Sequence, residues 1–164
     1  MPWLLIALAV VARLLPHPFN LTPVGALGLY AGAACPPRLA WLVPLAAVIA
    51  GDLVTGLYEP VVAASVYLGL LCGPVAGRLL LAERRTPRRF AAAVLAGALG
   101  FFLLSNLGNW LAFFPHTFPA LIECYARGLP LLGNTLAGDA LFGAILFGAD
   151  AAWRASRPAV TAAH

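Results

Sequence analysis

The chain has 164 residues, 62% of them hydrophobic and only 10% charged, with a mean hydropathy of +0.92, against about 25% charged residues in an ordinary soluble domain. This is the composition of a membrane protein, and at roughly 20 apolar residues per crossing the length admits about five or six spans and leaves no room for a separate soluble domain. The net charge of +4 is all arginine, with no lysine, which suits an orientation signal better than nucleic-acid binding, as no basic and aromatic stripe accompanies it.

Apolar runs bounded by proline, glycine or arginine predict six helices, at 3–15, 22–35, 39–57, 60–82, 90–114 and 131–153. The runs are continuous rather than alternating in polarity, so helices rather than barrel strands follow, and the expected fold is a compact all-α membrane bundle. The N-terminal "MPWLLIALAVVARLLP" has neither a charged leader nor a small-x-small cleavage site and is read as a retained helix. The first two helices, at about 20 Å, are short for a hydrocarbon layer of about 30 Å and are expected either to be extended or to form a broken, re-entrant pair. In "FPALIECYARG", Glu123 and Arg127 lie one turn apart and predict a surface helix over 119–128, lying in a loop. Cys35, Cys72 and Cys124 form no CxxC pair and are expected to be small packing residues.

Arginine placement sets the orientation. The cluster "ERRTPRRF" puts the loop between the fourth and fifth helices in the cytoplasm. Alternating from there places eight arginines inside and two, Arg13 and Arg127, outside, with both termini cytoplasmic.

With that topology the polar residues fall on one side. Two near-identical octapeptides, "IAGDLVTG" and "LAGDALFG", set Asp52 and Asp139 towards the outer halves of the third and sixth helices. His17, Asn20 and Thr22 of "HPFNLT", Ser105, Asn106, Asn109 and Trp110 of "SNLGNW", His116, and Asn134 and Thr135 of "GNT" fall at the same level. Individually, Thr22 and Asn134 read as helix caps, and a lone aspartate as an interhelical hydrogen bond. Together they predict a polar pocket open to the outside, because ionisable groups at membrane depth are costly and face a bundle interior or a water-filled cavity. The cytoplasmic halves are expected to hold hardly any such groups. Glycines 25, 28 and 32, and again 69, 73 and 77, read as close-packing helix surfaces.

The segment "RLLPHPFNLTPVGALGLYAGA", together with "SNLGNW" and "NTLAGDALFGAILFG", resembles a family of small bacterial integral membrane proteins of unknown function whose members are often labelled transport proteins. The resemblance runs from about Arg13 to Gly148 and implies fold and class rather than substrate. In size, helix count and outward-facing pocket the chain is also similar to the S components of energy-coupling factor vitamin transporters. That similarity implies a membrane coupling subunit with separate ATPases as partner, with Gly25, Gly28 and Gly32 as a contact face.

The reading that follows is a non-enzymatic, multi-pass protein of the bacterial inner membrane that captures a small solute. His17, Asn20, Thr22, Asp52, Asn106, Asn109, Trp110, Asn134, Thr135 and Asp139 would line its site. The lipid bilayer and the solute are the expected partners, with no nucleic acid and no cofactor. GxxxxGK[ST] is absent from the sequence, so any ATP use belongs to partners. An intramembrane aspartyl protease is a competing reading on the two aspartates and the "PAL" at 119–121, though neither aspartate sits in GxGD or YD. A scaffold subunit, which needs no pocket, is the third. His17, His116 and Asp139 are the residues from which an outer metal site would be assembled, but no spacing compels one.

Overall fold

A computed structural model describes residues 21–56 and 59–156, with Ala7 and Val11. The described residues are helical throughout, apart from short connections. Helix α1 is Val24–Ala34 and ends where Pro36 forces Cys35 into an extended conformation. Helix α2, Pro37–Thr55, has proline at its first position and closes at Gly56, whose φ of 104° only glycine adopts easily. Helices α3, Pro60–Leu70, and α4, Cys72–Leu81, form one 22-residue stretch broken at Leu71. Pro74 accounts for the break, because it has no N–H for the Leu70 carbonyl and its ring crowds that carbonyl. Helix α5 is Pro87–Phe113, capped by the Thr86 hydroxyl, and α6 is Phe118–Ala155, capped by that of Thr117.

Five of the predicted helices thus have counterparts, although α2 and α5 each start two or three residues earlier than expected. Helix 3–15 lies outside the described residues except for Ala7 and Val11, as do both termini. The separate surface helix at 119–128 is a correction: it is the start of α6, which runs unbroken for 38 residues through Pro130. "GLP" at 128–130 resembles a helix stop. Gly128 instead lets α6 approach α5, since a Cβ there would meet the Asn106 side chain.

Nine of the eleven residues of α1 are buried, because α2, α4 and α6 surround it; a helix apolar on all faces belongs at such a centre. Glycines join α1 to α4 and α4 to α5: Gly73 Cα lies 3.5 Å from where a Gly28 Cβ would stand, and 3.6 Å from that of Gly97. The glycine series are packing surfaces, as their spacing suggested. Gly28 and Gly32 face Pro74 inside the bundle, and Gly25 faces Asp139, so the expectation of a coupling-subunit contact there is also corrected.

On the outside of α5, Leu95, Leu99, Leu103, Leu107 and Leu111 form an exposed stripe at every fourth residue, the kind of face that lipid covers. Pro60–Leu81, Pro87–Phe113 and Phe118–Ala155 are each long and apolar enough to cross a membrane. At 1.5 Å per residue, the eleven residues of α1 give only about 16 Å.

Candidate functional site

All six described helices contribute to a cavity of about 370 Å³. Its exposed rim is formed by Glu59 at the start of α3, Phe113 at the end of α5 and Leu131 on α6. From there it deepens to buried Gly73, Gly97 and Asp139. Gly97 and Phe113 are sixteen residues apart on α5, so the cavity follows about 24 Å of that helix. Phe101, Phe102, Val62 and Val66 supply its apolar walls.

At the floor lies the buried start of α1, whose first turn has N–H groups without partners inside the helix. Asp139 meets them there. The residue is 3% exposed, and its carboxylate accepts from the Ala26 N–H. This approach requires Gly25, where any Cβ would collide with both carboxylate oxygens. The Thr22 hydroxyl accepts from Val24 N at 3.4 Å, and the Thr22 backbone lies against Gly138. Asp139 thereby neutralises a helix N-terminus carrying about +0.5 charge while remaining part of the cavity wall.

On α5, Asn106 donates to Phe102 O at 2.8 Å and Asn109 to Ser105 O at 3.0 Å. The Ser105 hydroxyl donates to Phe102 O and that of Thr135 to Leu131 O at 2.9 Å. At the rim, Glu59 Oε2 accepts from Val61 N at 2.8 Å and Val62 N at 3.1 Å, capping α3.

Of the ten predicted residues, Thr22, Asn106, Asn109, Thr135 and Asp139 come together in this cavity. Asp52 does not line it; buried on α2, it accepts from the Tyr67 hydroxyl at 2.9 Å. Trp110 also lies off the cavity, donating to Pro115 O at 3.1 Å and packing against His116, so that it closes the α5–α6 turn. Asn134 is half-buried on α6 outside the lining. His17 and Asn20 lie outside the described residues. Among the described residues no group of three His, Cys, Asp or Glu is placed to hold a metal ion.

Two acids escaped the sequence reading. Glu59 carried a signal, a capping residue directly before a proline at the first helical position. The other is Asp150, 2% exposed at the opposite end of the bundle. Arg85 Nη1 donates to its Oδ2 at 2.6 Å, and Arg154 Nε to the same oxygen at 3.0 Å. Arg85 also lies over the Phe147 ring, 5.2 Å from its centroid. Asp150 is thus a buried acid at the arginine-rich end that the sequence reading did not single out, and its i,i+4 spacing to Arg154 was the available signal.

The sequence profile of the Family of unknown function (DUF6580) matches residues 1–160. The chain belongs to that family. No curated protein and no solved structure matches it. Membership of DUF6580 agrees with the resemblance to a family without an assigned activity.

Proposed function

We propose that the protein is the solute-capturing subunit of a small-molecule uptake system, a multi-pass protein of the bacterial inner membrane with its arginine-rich end in the cytoplasm. The observation that carries this reading is the cavity, which narrows from an exposed rim to a buried carboxylate. A carboxylate wholly committed to packing would be walled in by its neighbours, whereas Asp139 forms part of the surface of a space large enough for a small organic molecule. Orientation rests on arginine: Arg38, Arg78, Arg84, Arg85, Arg88, Arg89 and Arg154 lie towards the end away from the cavity, which then opens outwards. The likeness to S components extends this reading to a membrane coupling subunit and ATPases as partners. Their contact with this chain would lie on a face other than Gly25, Gly28 and Gly32.

Proteolysis receives less support. Two carboxylates that share a proton need a common site. Asp52 bonds Tyr67, while Asp139 abuts Ala26 at the start of α1.

The test is mass spectrometry of small molecules released from the detergent-purified protein. Asp139→Asn and a cavity-filling Val66→Trp should lose a compound that the wild type and Asp52→Asn retain. Loss from Asp52→Asn alone would sink the assignment to this cavity.

A further inference from the structure

Resting on the capture reading, the polarity of the cavity narrows the solute. Among the described lining residues both ionisable side chains are acids, Asp139 and Glu59, with no arginine or histidine beside them, and the chain has no lysine. The hydroxyls of Ser105 and Thr135 have given their single protons to backbone carbonyls of their own helices and retain only lone pairs. The Asn109 amide nitrogen is turned back onto Ser105 O, which directs its oxygen away from the α5 backbone. Thr22, which accepts from Val24 N, keeps a proton to donate.

The helix N-termini beneath the two carboxylates oppose this negative potential. Each contributes only about +0.5 charge, which offsets about half of an ionised carboxylate. Phe101, Phe102 and Phe113 add aromatic walls, whose faces attract a cation and whose area takes up an apolar body.

We propose that the cavity takes an organic ammonium compound with an apolar body, its N–H groups towards Asp139 and its carbon skeleton among the phenylalanines. An anionic solute would meet two carboxylates with no arginine or histidine among the described lining residues to offset them, and a neutral one would leave the negative potential unused.

The experiment is equilibrium dialysis of the full-length protein in detergent against three probes of one shape: tryptamine, tryptophol and indole-3-propionate. Tryptamine should bind at least tenfold more tightly than the other two, lose at least tenfold in Asp139→Asn and fail to bind Val66→Trp. Because Asp139 also meets the start of α1, Asp139→Asn may be replaced by Glu59→Gln, which deletes a rim charge while its amide oxygen still caps α3; a several-fold loss is expected there. Equal binding of all three probes, or tightest binding of the acid, overturns the ammonium assignment and leaves solute capture standing, provided Val66→Trp abolishes the binding. A neutral or acidic compound released from the wild type and lost in Val66→Trp does the same. No bound probe and no released compound in any sample overturns both.

Discussion

A Cβ at Gly77 would press into the Leu29 carbonyl, which is backbone and has nowhere to move, while one at Gly133 would meet nothing within 4 Å. Gly77→Ala should therefore cost about 1–3 kcal/mol through overpacking. Gly133→Ala should gain about 0.5–1 kcal/mol from helix propensity alone. Thermal unfolding in detergent would check the opposite signs, and equal shifts for the two variants would contradict the packing. The two octapeptides raise the same issue. Around Asp52 and Asp139 the local sequences nearly coincide, yet one acid meets a tyrosine and the other a helix terminus beside a cavity. Local sequence set the helix that carries each aspartate, and five of the ten residues it singled out line the cavity. The rotation of neighbouring helices decides which of them face a common space, and it depends on contacts such as Gly25 with Asp139 that no single segment encodes.

Among the elements, the continuity of α6 was hidden because glycine and proline in "GLP" serve as packing and surface residues rather than as a stop. Near its far end α6 is fastened to the α4–α5 connection through Asp150 and Arg85, and the two partners are unequal. Asp150 is 2% exposed, whereas the Arg85 side chain is 29% exposed and that of Arg154 63%. Arg85→Ala leaves a buried carboxylate with Arg154, largely solvated, as its remaining cationic partner, and breaking such a pair costs about 3–5 kcal/mol. Asp150→Asn leaves two arginines that can reach water and should cost less. Tm values of the two variants should keep that order; the reverse would mean that the arginine, not the acid, bears the burial.

At the scale of the whole molecule, the arginine-rich end and the cavity rim lie at opposite ends of the bundle, which makes orientation testable. In a background without Cys35, Cys72 and Cys124, cysteine at the exposed Thr117 should react with an impermeant maleimide added to intact cells. Cysteine at the exposed Arg84 should react only after permeabilisation. The opposite pattern would turn the cavity towards the cytoplasm. The unequal helix lengths carry a consequence for how the cavity fills. At 1.5 Å per residue α6 is about 57 Å long, far beyond a hydrocarbon layer of about 30 Å, and its exposed Glu123 and Arg127 suit the part that stands clear. In the proposed orientation the rim residues Glu59 and Leu131 would fall near the lipid headgroups. Amphipathic amines partition into that layer, so occupancy would follow their interfacial concentration, and an apparent Kd referred to bulk water would change with the amount and charge of the surrounding lipid.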